Sequence, residues 1–290
     1  MMTRRSMIAA FAASASATRN VLYAGTGLKR EAFAASIAEL EKTSSGRLGV
    51  AALCMNSGEI AGHRADERFA MCSTFKLLLA AAVLKRSDAG HENLDRAVDI
   101  PKGPLLSNSP LTQAHAGSQM TLRDLCRAVI ARSDNTAANL LLAVIGGPEV
   151  ITEFARSIGD LVTRLDRIEL ALNEAAPGDL RDTTSPAAML GNLKKLVLGD
   201  VLSLVSREYL IRWLIDNETG NDRLRAGFPA NWRVGDKTGS NAKNTTNDIA
   251  VAWPPNRPPI LVSAYLTECD GPEEKRNAVL AKVARLAAAL

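Results

Sequence analysis

Ser73 and Lys76 stand three residues apart in Met71-Cys72-Ser73-Thr74-Phe75-Lys76, directly before the apolar run Leu77–Leu84. On a helix that spacing puts both side chains on one face, so the lysine amine reaches the serine hydroxyl. A serine is a poor nucleophile near neutral pH unless a base stands beside it. A lysine desolvated by the apolar run has its pKa lowered, which suits it to act as a base or proton relay. Ser-x-x-Lys arises by chance about once in a chain of this size, so the pair decides little alone. Two tripeptides add weight. Ser133-Asp134-Asn135 lies between two helical stretches, and Lys237-Thr238-Gly239 ends a strand. Each is expected by chance in roughly a few per cent of such chains. Ser133 offers a hydroxyl that passes a proton, Asn135 an amide for a substrate carbonyl or the Lys76 head, and Lys237 a cation. Gly239 lets a ligand approach the backbone closely. By residue type, Ser133-Asp134-Asn135 also reads as a helix cap.

These groups need elements to hold them. Phe33, Ile37 and Leu40 recur at helical spacing in Leu28–Thr43, with Gly46 beyond the end. Arg47–Met55 and Glu59–His63 read as a hairpin across Asn56-Ser57-Gly58. From Ser73 to about Asn217 nearly every periodic segment is helical. Thr121, Pro148 and Thr184-Ser185-Pro186 open helices, and Ser203–Asn217 is another. Strand patterns return in Trp232–Lys237, Asp248–Trp253 and Ile260–Leu266, and Glu273–Leu290 is a closing amphipathic helix. The expected fold is α/β (α+β): a five-stranded antiparallel sheet flanked by N- and C-terminal helices, with an inserted all-helical domain. The α/β domain would comprise 28–66 plus 218–290, and the all-α domain 67–217. The charged loop 164–184 is long for a connection, and such loops are usually functional or disordered. A small-molecule site is expected in the cleft between the two domains.

Composition narrows the partners. The chain has 290 residues, 47% apolar and 23% charged, with 35 basic against 31 acidic side chains. Two of the basic ones, Arg4 and Arg5, fall in a segment that reads as an export signal, Met1–Ala17, with later cleavage open up to Ala24. Thr3-Arg4-Arg5 resembles a twin-arginine signal. The balance gives no reason to expect nucleic acid or a membrane as partner of the mature chain. Four scattered cysteines (Cys54, Cys72, Cys126, Cys269) do not make a disulfide framework, and three isolated histidines do not suit zinc. No metal or other cofactor is expected.

Ser-x-x-Lys, Ser-Asp-Asn and Lys-Thr-Gly in this order resemble the class A β-lactamases and the penicillin-binding proteins related to them. The likeness extends through Ser133-Asp134-Asn135-Thr136-Ala137-Ala138-Asn139, Arg164-Leu165-Asp166-Arg167 and Arg181-Asp182-Thr183-Thr184, and so over essentially the whole chain after the signal. Glu169-Leu170-Ala171-Leu172-Asn173 matches the family's Glu-x-x-Leu-Asn element, which separates the hydrolases from the binding proteins. The resemblance implies hydrolysis of penicillins and cephalosporins through an acyl-serine at Ser73, by a monomer. The alternative is a DD-peptidase-like protein or β-lactam sensor that acylates without turnover.

It also implies the roles. Lys76 and Ser133 relay a proton, while Glu169 and Asn173 hold the hydrolytic water; whether Lys76 or Glu169 is the acylation base stays open. Backbone amides of Ser73 and Ser240 form the oxyanion hole. Lys237, Thr238, Gly239 and Ser240 meet the substrate carboxylate, Asn135 the amide side chain, and Arg167 pairs with Asp182 across the loop's neck. Arg223 matches one position from which the family supplies a carboxylate-binding arginine; Arg276 is a weaker candidate for that task and reads first as a solvated helix residue. Asn108 replaces a usual aromatic. Asn241 stands where some carbapenem-hydrolysing relatives place the disulfide partner of Cys72, which excludes that pairing. Carbapenems stay open.

Overall fold

The structure, a computed structural model, describes residues 27–55, 58, 60–241 and 243–290. The export signal expected at Met1–Ala17 and most of the Asn56-Ser57-Gly58 turn lie outside the described residues.

Alternation along the strands builds two cores from one sheet. In β1 (Arg47–Cys54) every residue after Arg47 is buried, as a central strand covered on both faces requires. It pairs antiparallel with β2 (Ile60–His63) and β9 (Ile260–Thr267). The sheet continues through β8 (Thr246–Trp253) to β7 (Arg233–Ser240), giving the order β2-β1-β9-β8-β7, antiparallel throughout. Val50, Ala52, Ala250 and Val262 point to one face, where they meet Phe33, Ile37 and Leu40 of α1 (27–44) and Leu280, Val283 and Ala287 of the C-terminal helix Glu273–Ala288. Ala51, Leu53, Ile249, Val251, Leu261 and Tyr265 point to the other, into the core of the helical half.

The centre of that half is α2 (Lys76–Asp88), buried without break from Lys76 to Leu84. A helix apolar on all sides must be enclosed, and it packs against α4 (Leu122–Ala131), α5 (Asn135–Ile145) and α6 (Glu149–Ser157). Short α3 (Pro110–Ala114) packs against α4. The helix starts follow capping chemistry. Thr121 Oγ1 accepts from Asp124 N at 3.1 Å and Asp134 Oδ1 from Ala137 N at 2.9 Å, each cap contributing about 1 kcal/mol. Gly146, at φ 110°, ends α5 in the left-handed conformation that glycine tolerates. Then follow α7 (Pro186–Val197), capped by Ser185, α8 (Leu204–Ile215), capped by Ser203, and the one-turn α9 (Leu224–Gly227). The C-terminal helix is therefore α10.

The fold class agrees with the expectation, with local differences. β7 runs on to Ser240, so Lys237-Thr238-Gly239 lies inside a strand, because pairing with β8 persists to Ser240↔Thr246. The helical stretch also contains three-residue strands, β4 (Ala97–Asp99) with β5 (Gln119–Thr121). A two-residue pair, β3 (Phe69–Ala70) with β6 (Thr183–Thr184), ties down the end of the long loop. Among the described residues no single helix is long and apolar enough to cross a membrane.

Candidate active site

Ser73 sits in a buried 3₁₀ turn, Cys72–Phe75, that runs into α2. Cys72, next to Ser73, takes a left-handed φ of 44°, as do Ser133 and Asn108 at 54°, and the latter two line the cleft that Ser73 faces. Non-glycine residues pay about 1–3 kcal/mol for that conformation and keep it where the surroundings over-determine it. The cleft, about 550 Å³, is lined by Ser73, Ser133, Asn135, Asn173, Arg223 and Glu273 among others.

Lys76 is fully buried and joins the three motifs. Its Nζ donates to Ser73 Oγ at 3.0 Å, Ser133 O at 2.9 Å and Asn135 Oδ1 at 2.6 Å, and lies 2.8 Å from Glu169 Oε1. Burial pushes its pKa below the ordinary lysine value, and the Glu169 carboxylate pulls part of the way back. The short contact to Glu169 describes the ammonium form, and burial makes its proton easy to surrender. Both effects suit a group that passes protons.

Glu169 comes from the long loop. Oε1 lies 3.5 Å from Ser73 Oγ, and Oε2 accepts from Asn173 Nδ2 at 2.6 Å, within the 3₁₀ turn Ala171–Asn173. Asn173 Oδ1 is buried with no partner in the protein, an acceptor facing the same space. The backbone of Glu169 is pinned at both polar atoms by Asn139 of α5, at 2.9 and 2.8 Å. The loop's neck is closed by Asp182, whose Oδ1 accepts from Asp166 N and Arg167 N and whose Oδ2 accepts from Arg167 Nε at 2.5 Å. Burial works against the Arg167 charge, but hydrogen bonds to Asp182 and Glu174 outweigh it and raise its pKa.

The opposite wall is β7. Lys237, fully buried, donates to Ser133 Oγ at 3.1 Å, so Ser133 stands between two lysines. Burial, then the charge on Lys76, drive the Lys237 pKa well below its ordinary value. A Cβ on Gly239 would lie 2.7 Å from Met71 O and 3.1 Å from Ser73 N, so only glycine lets this strand approach the Ser73 amide. Thr238 Oγ1 meets Thr219 Oγ1 at 2.5 Å. Arg223 reaches the cleft through Nη2, 2.7 Å from Ser240 Oγ and 3.2 Å from Glu273 Oε1, while Nη1 holds the carbonyls of Gly239 and Asn247.

The side chains that the sequence reading expected to be catalytic or substrate-binding are thus brought together at this cleft, with two amendments. Asp134 caps α5 while Ser133 and Asn135 face the cleft, so the cap and the chemistry coexist in one tripeptide. Arg276 is buried, not solvated: it donates to Thr246 Oγ1 and the carbonyls of Lys243 and Gly271, fixing the β7–β8 end of the sheet. Sequence reasoning missed Asn139, Thr219 and Glu273 as site residues. Asn139 was visible as a polar residue one turn after Asn135; nothing in the sequence signals the other two. Cys72, Cys126 and Cys269 are buried thiols, and burial with the nearby Glu169 charge pushes Cys72 up to about 12. Among the described residues no group of three or more His, Cys, Asp or Glu is arranged to hold a metal ion.

The model of the β-lactamase enzyme family matches residues 32–290. β-Lactamase L2 of Stenotrophomonas maltophilia is 54% identical over 255 residues, covering 88% of this chain and 84% of L2. β-Lactamase Toho-1 of Escherichia coli is 45% identical over 285 residues, 98% of this chain and 96% of Toho-1. Among solved structures, a class A β-lactamase representing the last common ancestor of Gram-negative bacteria superposes with a TM-score of 0.87 at 61% identity, over 89% of this chain and 98% of that one.

Proposed function

The chain belongs to the β-lactamase enzyme family, in its class A, and from that premise we propose how its residues divide the work. The activity is hydrolysis of the β-lactam amide of penicillins and cephalosporins through a serine acyl-enzyme, which confers antibiotic resistance. Ser73 Oγ attacks the lactam carbonyl and gives up its proton to the Lys76–Glu169 pair. The amides of Ser73 and Ser240 stabilise the resulting oxyanion, each such donor being worth about 10²–10³ in rate. Ser133, between Lys76 and Lys237, hands a proton to the leaving nitrogen. Lys237, Thr238, Ser240 and Arg223 bind the substrate carboxylate beside Gly239, and Asn135, whose Nδ2 donates to Ser107 O at 2.8 Å on the cleft wall, meets the acyl side chain. Glu169, with Asn173, then orients water onto the ester and takes its proton.

The observation that carries this reading is the Glu169 carboxylate, 3.5 Å from Ser73 Oγ and beside the unpartnered Asn173 Oδ1. A protein that merely stores an acyl group needs no such base. Glu169→Ala is expected to slow deacylation by about 10²-fold or more and to accumulate acyl-enzyme, visible as added mass with a penicillin. Rapid clearing of the adduct would remove the role.

Two coarser features complete the proposal. The chain acts as an exported monomer, its parts being an α/β domain (28–66 and 218–290) and an all-α domain (67–217). Replacement of Arg4-Arg5 by Lys-Lys is expected to hold the precursor in the cytoplasm; unchanged export would point to the general secretory route.

A further inference from the structure

The arginine that reaches the carboxylate end of the cleft is already occupied. Arg223 Nε is held by Asn277 Oδ1 at 2.9 Å and Nη1 by two carbonyls, so the guanidinium is fixed in place. Only Nη2 faces the cleft, and it is shared between Ser240 Oγ at 2.7 Å and Glu273 Oε1 at 3.2 Å. The two partners differ in freedom: the Arg223 side chain is 6% exposed and that of Glu273 59%. An incoming carboxylate therefore meets a rigid cation whose outward N–H carries a mobile counter-charge, and Glu273 must swing away or share it. Once displaced, Glu273 stays at the first turn of α10, a negative charge on the rim of the cleft, where, with the substrate carboxylate at Arg223, it would face the ring carbon that neighbours the carboxylate-bearing one. In cephalosporins that carbon bears the variable 3-substituent.

We propose that Glu273 is a specificity-determining residue. It competes with the substrate carboxylate for Arg223, and it favours cephalosporins with a cationic 3-substituent over those with a neutral or anionic one. The inference rests on the substrate carboxylate lying at Arg223. Glu273 is exposed and so is a charged 3-substituent, so the attraction between them acts on KM, weakens with added salt and leaves kcat unchanged.

The test compares two cephalosporins sharing an acyl side chain, one with a quaternary ammonium or pyridinium 3-substituent and one with a neutral substituent, in wild type, Glu273→Gln and Glu273→Lys. Glu273→Gln removes the competition for both substrates and the attraction for the cationic one alone, so KM for the neutral substrate is expected to fall and the ratio of the cationic to the neutral KM to rise about threefold. Glu273→Lys should shift it further the same way, and 0.5 M salt, about one order above the test buffer, should shrink both shifts. An unchanged ratio in both variants, or an effect confined to kcat, overturns the proposal. Arg223→Ala separates the two readings. If it leaves KM unchanged for both substrates, the carboxylate does not lie there and both readings fall. If it raises both KM values while the Glu273 variants leave the ratio alone, the role of Glu273 falls by itself.

Discussion

Lys76 is the residue on which the proposed chemistry turns, because opposed influences set its proton affinity. Burial lowers its pKa, and the charge on Glu169 raises it again. Removing that charge takes away the largest influence opposing burial, so the Lys76 pKa falls further and more free amine is present at any given pH. In Glu169→Gln the rising pH limb of the acylation rate should therefore move to lower pH, as followed by rapid-mixing acylation with a chromogenic cephalosporin. A limb that stays in place, or acylation lost by about 10²-fold or more, would assign the first proton to Glu169 instead. At this scale the sequence was readable wherever functional groups sit a few residues apart, as in Ser73 with Lys76 or Glu169 with Asn173. Glu273 was not, because it meets Arg223 from 50 residues away. Arg276 misled for a similar reason: its helix looks amphipathic, and its burial comes from the Lys243 and Gly271 carbonyls folding over it.

The long loop is the element that carries Glu169, the proposed hydrolytic base, and it has little apolar packing of its own. Leu165 and Leu172 are buried, whereas Ile168, Leu170 and Leu180 are exposed. Its shape is set by polar contacts: Asn139 at Glu169, the reciprocal Asp166–Asp182 bonds, and Arg167 on the buried Asp182 carboxylate. Deleting one partner of such a pair leaves an uncompensated charge, at a cost of about 3–5 kcal/mol. Arg167→Ala should lower the melting temperature and should slow deacylation more than acylation, since Ser73 and Lys76 belong to a different element. Equal losses in both steps, read from burst amplitude and steady-state rate, would mean that the clamp does not position Glu169. The loop's length and charge announced an unusual connection. Its closure by the two-residue pair β3–β6 did not show, because such short strands leave no periodicity to read.

Over the whole molecule, the two expected domains share a core. The helical half packs Leu77, Leu78 and Phe75 with Ala51, Leu53, Val251, Leu261 and Tyr265 of the sheet in one continuous apolar cluster. Only the opposite sheet face, under α1 and α10, belongs to the α/β half alone. The return of strand patterns after the helical stretch made the insertion legible, but not this sharing, which depends on which face each strand residue takes. Its consequence is thermodynamic. Separating the halves would expose the sheet's inner face and the walls of α2 together, at roughly 25 cal/mol for each Å² of apolar surface. Two units joined by a flexible linker would melt independently, whereas halves that bury each other should melt together. Thermal unfolding followed by far-UV and near-UV circular dichroism is accordingly expected to give coincident, single transitions. An excised 67–217 fragment should show no sharp transition of its own. Two resolved transitions, or a cooperatively folding fragment, would mean that the cleft lies between independent bodies, and that Lys76 and Lys237 are not held to one geometry by the fold.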